Sequence, residues 1–494
     1  MSPQFQKIAK LYLLPVLLAV LVYFPLFYNL DRLPLMQFDE ARVAMSSYEM
    51  SENHNPLVVH YGGAPDMWST KPPLTNWAQV FFIKTLGLNV LSVRLPSALA
   101  GLFTCILLWL FCVRHLKNYW MGFVSVLVLV TSRGFINNHV TRTADYDAML
   151  VLFTTASSIA YYFFINTQNY KYLRWFFIIL ALGVITKSVA GLFMLPGLLV
   201  FTLFRYKSLV FFKNKKTYLY ALYFIIPVVI IYLGRELLNP GYLKASWHWD
   251  IAGRFNEQLT GDKPYFGYYL HLMKTEHYLH WFWISAAGII LGLLSKNNQI
   301  KNVTLFITCT ALGFLAVVSS ANTQMLWYNA PVYPFAALLA AIAIYWLVEV
   351  LQNVVQNLSF NVVPYILVIG LMITPYKTIF NHVSPPKFQY DWEYEAQALN
   401  FYLIDAYKAD KNLNGYFWVD NDDYNPYIDF YIRMFEKNKG QIIAPKKLKD
   451  LKTGDTVIGF LNDIKPKIEA AYTYTLLEEK EFVKVYKITG KTLQ

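Results

Sequence analysis

Long apolar runs alternate with short polar breaks along most of this chain. Apolar stretches near 11–27, 95–113, 120–131, 148–165, 175–186, 189–204, 218–233, 279–294, 303–319, 330–350 and 362–374 predict about eleven membrane-spanning helices. A helix rises about 1.5 Å per residue, so roughly 20 apolar residues cross the hydrocarbon of a bilayer. The period-two alternation that a membrane barrel requires is absent from these runs. After about Pro375 the pattern changes. Ser384-Pro385-Pro386 reads as a linker, Glu393 to Lys411 has helical spacing with a polar face, and 416–419, 441–443, 456–461 and 482–488 read as short strands. The pattern thus predicts a transmembrane domain over 1–377 and a soluble α/β domain over 378–494, the latter large enough to fold alone. No internal repeat of the transporter kind is visible.

Composition agrees with this reading, because 56% hydrophobic and 15% charged residues in 494, with positive mean hydropathy, lie outside the soluble class. The net charge of +12 would suit nucleic acid, but the basic residues are scattered through short loops, where they set topology instead. Lys7 and Lys10, Arg114 and Lys117, Lys171 and Arg174, Arg205 to Lys216, and Lys296 and Lys301 occupy alternate loops that contain no Asp or Glu. The positive-inside rule puts these loops in the cytoplasm. The loops at 29–93, 132–147, 187–188, 234–278 and 320–329 then face outward, as does the soluble domain. The first apolar run has no small-residue cleavage site behind it, so a retained span is expected rather than a signal peptide. Cys105, Cys112 and Cys309 lie in apolar runs and read as packing residues, not as a disulfide framework.

Nearly every unusual charge sits in the outward loops, and charge beside a bilayer is costly unless it faces water, a partner or a substrate. In the first loop, Asp39 begins a segment, Glu40 to Met50, with the spacing of a helix lying on the membrane surface. Arg42 is near enough to Asp39 to pair with it or to share a phosphate, although a helix-start carboxylate with a surface ion pair is the plainer reading. Trp68 precedes Lys71-Pro72-Pro73, which presents a lysine from a stiff turn; a Pro-stopped loop with a snorkelling Lys is the alternative. Arg142, Asp145 and Asp147 cluster at a span start, where one carboxylate would suffice as a cap. Lys187 interrupts an apolar stretch, as a topological break or as a phosphate ligand. Trp247-His248-Trp249-Asp250 and Arg254 suit a sugar or isoprenoid beside an anion, but also an interfacial aromatic belt. Tyr328 closes the set in Trp327-Tyr328-Asn329-Ala330-Pro331. Asp420-Asn421-Asp422-Asp423 lacks the Gly and distal Glu of a calcium loop and reads as a solvated turn.

Carboxylates, fixed cations and aromatic rings on one face, with no His/Cys spacing for a metal and no Gly-rich nucleotide loop, suit a phosphate-bearing lipid donor. In the order Asp39-Glu40-Ala41-Arg42, Lys71-Pro72-Pro73, Asp147-Ala148-Met149-Leu150, Thr186-Lys187 and Tyr328-Asn329-Ala330-Pro331, the sequence resembles the GT-C fold glycosyltransferases of the protein O-mannosyltransferase and lipid A aminoarabinose transferase superfamily. The resemblance covers about 39–334. It implies an inverting transfer from a polyprenyl-phosphate sugar to a lipid, glycan or protein acceptor on the periplasmic face of the cell membrane. It makes Asp39 and Asp147 the catalytic carboxylates, gives donor phosphate binding to Arg42, Lys71, Lys187 and Arg254, and lines the donor and acceptor with Glu40, Trp68, Asp145, His248 and Tyr328. Two departures weigh against the divalent metal of the aminoarabinose transferases: Thr70 stands where they carry an acidic residue, and His248 is one residue out of register with their His. Val43 stands where that subgroup has Tyr, which weighs against lipid A as acceptor. A flippase of lipid-linked sugars is the alternative, and it would place charges near span centres rather than at outer ends.

Overall fold

A computed structural model describes residues 12–136, 139–206, 214–258, 264–354, 363–384, 388, 391–419 and 424–492. Each predicted run coincides with a helix: Leu14–Leu26, Val90–Leu110, Tyr119–Val130, Asp147–Thr167, Tyr170–Lys187, Leu195–Tyr206, Lys215–Leu238, Phe282–Leu293, Asn298–Ser319, Tyr333–Val354 and Val363–Val383. Among the described residues, six helical segments are long and apolar enough to cross a membrane, and four shorter apolar helices accompany them. The chain is therefore a multi-pass helical membrane protein. Small residues let these helices approach closely, as is usual where lipid offers no hydrophobic drive. A Cβ on Gly197 would lie 2.2 Å from the Cys309 carbonyl oxygen, so only glycine fits between Leu195–Tyr206 and Asn298–Ser319.

The two sets of loops separate to opposite ends of the bundle. At one end Gln299 donates to the carbonyl of His115 at 2.6 Å, and Gln168 donates to the Tyr206 hydroxyl, so the basic loops lie together. At the other end the first loop builds two helices, Asp39–Asn53 and Leu74–Leu86, joined through a short hairpin of β1 (His60–Tyr61) and β2 (Ala64–Pro65). Gly62 and Gly63 make its turn at φ of 64° and 78°, which only glycine adopts without strain, and Glu49 accepts from both of their amides.

Beyond the membrane helices, five strands form one mixed sheet. They are β3 (Tyr416–Val419), β4 (Ala444–Lys446), β5 (Thr456–Gly459), β6 (Tyr472–Lys480) and β7 (Val483–Lys491), in the order β4-β3-β5-β7-β6. The first three are parallel neighbours and the last two antiparallel. The 441–443 run expected as a strand is instead the approach to β4, three residues later. This sheet and its helix Pro426–Lys439 share one apolar core with the first loop: Leu35, Ala41, Ala44 and Met45 pack with Leu403, Tyr431 and Phe435. The Leu35 amide donates to the Tyr431 hydroxyl at 3.0 Å, and Gln397 donates to the Leu35 carbonyl at 2.8 Å. The sheet unit is thus fastened to the loop that carries the candidate site. The Asp420 to Asp423 run lies outside the described residues, as do Lys7, Lys10, Lys207, Lys213, Pro385 and Pro386.

Candidate functional site

Arg94, in the helix Val90–Leu110, anchors the first loop. All five of its N–H groups are used: two on the Glu40 carboxylate at 2.7 and 2.9 Å, the others on the carbonyls of Leu30, Leu33 and Pro34. Glu40 also accepts from the amides of Met36 and Ala144. Glu40, expected to line the site, is therefore a fully buried staple between the first and second outer loops. A buried carboxylate this well paired has no lone pair left for a ligand.

That staple leaves the neighbouring Asp39 at the mouth of a cavity of about 330 Å³. Phe38 begins the helix in a left-handed conformation, φ 64°, a strain that side chains other than glycine rarely carry except where surrounding structure enforces it. The same cavity is lined by Arg42, Trp68, Lys71, Asp145, Asp147, Lys187, Arg254 and Tyr328. Residues from five separate outer segments thus converge as the motifs led one to expect. His248 does not join them: it is exposed, and Trp249 and Asp250 face the cavity in its place. Arg142 is also turned away, donating to the carbonyls of Pro25, Tyr28 and Asn29.

The cations differ in how free they are. Arg42 makes a two-pronged pair with Asp66 at 2.8 and 2.9 Å and lies over the rings of Tyr61, Trp68 and Tyr424. Burial would lower its pKa, but the hydrogen bonds and charges of Asp66 and Tyr424 together outweigh burial and raise it; Asp66 is held below its ordinary value, against its own burial, by Arg42 and by the amides of Ser69 and Trp68. Lys71 pairs with the buried Asp250 at 3.1 Å, and Lys187 pairs with Asp147. Arg254 donates to the Tyr328 hydroxyl at 2.6 Å and has no carboxylate partner among the described residues. It is the cation most available to an incoming anion.

Several partners carry no local sequence signal. Arg235, fully buried at the end of the helix Lys215–Leu238, donates to the carbonyls of Lys71 and Asp66 and so fixes the Lys-Pro-Pro turn. Its position at a span end was the only available hint. Asp66 and Tyr424 would have needed knowledge of which residue faces Arg42. His139 stacks on Trp327 with ring centroids 3.7 Å apart and donates to Asp145 at 2.7 Å. Burial would raise the Asp145 pKa, yet the hydrogen bond and charge of His139 lower it; His139 is raised by the same contact against its own burial.

The metal of the aminoarabinose transferases does not fit the residues present. Thr70 is buried with no carboxylate to offer, and His248 is outside the cavity, so no step runs through that ion. A different set does gather here: one ligand atom each from Asp39, His139 and Asp145 lies within 4.8 Å of the others.

Comparison with known proteins agrees with this architecture. Residues 70–232 match the model of a family described as dolichyl-phosphate-mannose-protein mannosyltransferase. A protein of Aquifex aeolicus is 33% identical over 187 residues, which are 38% of this chain and 36% of that one. The Bacillus subtilis proteins YycA and YkcB, described as candidate mannosyltransferases, are 28% and 27% identical over 151 and 154 residues, 30% and 31% of this chain. The chain thus spans about a fifth of the length of each Bacillus protein, 22% and 21%. Among solved structures, ArnT from Cupriavidus metallidurans bound to undecaprenyl phosphate superposes with a TM-score of 0.70 at 13% identity, over 97% of this chain and 98% of that one. The apo form gives 0.66 at 14% identity, over 98% of each. The chain has the GT-C fold, as the ordered motifs implied.

Proposed function

We propose that this chain is a glycosyltransferase that moves a sugar from a polyprenyl-phosphate donor to an acceptor at the extracytoplasmic face of the membrane. One observation carries the reading: Arg254, which has no carboxylate partner among the described residues, the paired Lys71 and Lys187, and the carboxylate of Asp39 open on a single cavity at the end of the bundle opposite the basic loops. The ArnT structure, which holds undecaprenyl phosphate, supports the class of donor.

In this mechanism the donor phosphate enters against Arg254, with Lys71 beside it, and fixed cations in a water-poor site stabilise the charge that grows on a leaving group. The bond from the anomeric carbon to the phosphate oxygen breaks with its electron pair staying on the phosphate, leaving an oxocarbenium-like sugar. The acceptor oxygen attacks the opposite face, inverting the centre, and a hydroxyl acceptor gives its proton to Asp39. Asp39 takes no hydrogen bond or ion pair from any described residue, so its lone pairs are free to receive one. Asp147 holds Lys187 in place, and Arg42 holds the first loop closed over Asp66. Trp68 and Tyr328 offer rings to the sugar or to the lipid.

The test is to incubate purified protein with labelled polyprenyl-phosphate sugars and membrane extract and to follow the label. Label appearing on an acceptor, and lost with Asp39→Asn, supports the reading. Intact donor crossing a sealed vesicle with no label transferred replaces it with the flippase.

A further inference from the structure

The cluster of Asp39, His139 and Asp145 is unused by the mechanism above except for its first member. Two outer segments supply it, Asp39 from the first loop and His139 with Asp145 from the second, and each member also has structure outside the cluster to position it. Asp39 starts the loop helix behind the Glu40 staple. Asp145 accepts the Tyr146 amide on Oδ1 at 2.6 Å, and its backbone carbonyl is held by the Ser97 hydroxyl at 3.1 Å. His139 sits at φ 65° with its ring plane set by Trp327, the two rings inclined by 9°. Oriented side chains are what a metal-ligating imidazole needs from its surroundings.

One further observation points to an unmet positive charge. Asp147 is 1% exposed and lines the cavity, yet its Oδ1 has no hydrogen-bond partner among the described residues.

We propose that Asp39, His139 and Asp145 form a divalent-cation site of the Mn²⁺ or Zn²⁺ class at the edge of the cavity. Two carboxylate oxygens and one imidazole nitrogen suit these ions better than Mg²⁺ or Ca²⁺, which prefer oxygen alone. Bond lengths near 2.0–2.2 Å ask for side-chain adjustment of ligand atoms that lie within 4.8 Å of one another, and binding an ion displaces the proton that His139 and Asp145 share at 2.7 Å. Remaining positions go to water or to a donor phosphate oxygen. The site's ligands are different residues from Thr70 and His248, which stand at the positions of the aminoarabinose transferase metal. The inference deepens the glycosyltransferase reading and rests on it for the use of the ion, though not for its binding.

The experiment uses the full-length protein in detergent, stripped with chelator, dialysed and titrated with MnCl₂ and with ZnCl₂. Bound metal is measured by elemental analysis, and tryptophan emission is followed for quenching by Mn²⁺. The expected result is one ion per chain, weakened tenfold or more by His139→Ala and by Asp145→Asn and unchanged by His248→Ala. The Mn²⁺ quenching should be reduced in Trp327→Phe, a variant that keeps all three ligands. No stoichiometric ion on the wild type, or equal binding by a folded His139→Ala protein, overturns the site. If either ligand variant fails to fold, the wild-type stoichiometry and the Trp327→Phe quenching decide, with undiminished quenching counting against the site. One ion bound by a protein that transfers no sugar leaves the site standing and removes the glycosyltransferase reading. Full transfer by a protein that binds no ion does the reverse.

Discussion

The guanidinium of Arg42 donates to the hydroxyl of Tyr424 at 3.1 Å across 382 residues of chain. Tyr424 belongs to the sheet unit, and its ring also lies near Tyr61 and stacks on Phe38, the strained residue just before Asp39. The sheet unit thereby bears on the position of the candidate base through the contacts of Tyr424 with the first loop.

Arg42→Lys should loosen that loop, because an ammonium cannot reproduce the two-pronged pair with Asp66 or the stacking on three rings. A loss of roughly 2–3 kcal/mol is expected, toward the low end for breaking a partly buried pair. Tyr424→Phe removes one hydrogen bond and should cost about 1 kcal/mol. Thermal unfolding in detergent, with protease cleavage within 29–93 as a local probe, reads both. Equal cleavage of Arg42→Lys and wild type would contradict this account of the loop.

Glu40→Gln should damage the fold more than the chemistry. It leaves the five-pronged Arg94 guanidinium buried without its counter-charge, a change worth about 3–5 kcal/mol. Arg94→Met in the same chain should recover part of the loss, since removing both charges is cheaper than stranding one. A melting temperature for Glu40→Gln within a degree of the wild type would refute the staple.

Asp39 and Asp147 should separate by phenotype. Asp39→Asn removes a carboxylate with no partner among the described residues, so stability should hold while transfer to a hydroxyl acceptor falls by about 10²–10⁴. Asp147→Asn strands Lys187, so its melting temperature should drop with its activity. Melting curves beside transfer rates for the two variants make the distinction, and a matched pair of stability losses would remove it.

Acid should weaken the bundle through His277. This side chain is buried, accepts from the Tyr333 hydroxyl at 3.3 Å, and is pushed down to about 4 by desolvation and by the charge of Arg133. The unfolded chain takes a proton near pH 6.5 and the folded one only near 4. Stability is therefore complete above about 6.5 and falls as pH drops toward 4, by on the order of 3 kcal/mol in all. His277→Gln should flatten the melting-temperature profile over that window; an unchanged slope would rule His277 out as its source.

The apolar runs, the separation of basic from acidic loops and the order of the charged motifs were all legible in the sequence. Each is a local property: hydrophobic length decides a span, and loop charge decides a side, whatever the rest of the chain does. Asp39, Lys71, Asp147, Lys187, Arg254 and Tyr328 were accordingly found by their place at the outer ends of runs and do face one cavity. Which of the charged residues are free was decided only by tertiary structure. Glu40 and Asp39 are neighbours in sequence, yet Arg94 consumes the first and nothing among the described residues holds the second. Arg142 and Arg254 look alike in their loops, yet one is spent on backbone carbonyls and the other points at Tyr328. An ion pair is set by distance in space, and His139, Arg235 and Tyr424 reach their partners only after the helices have packed.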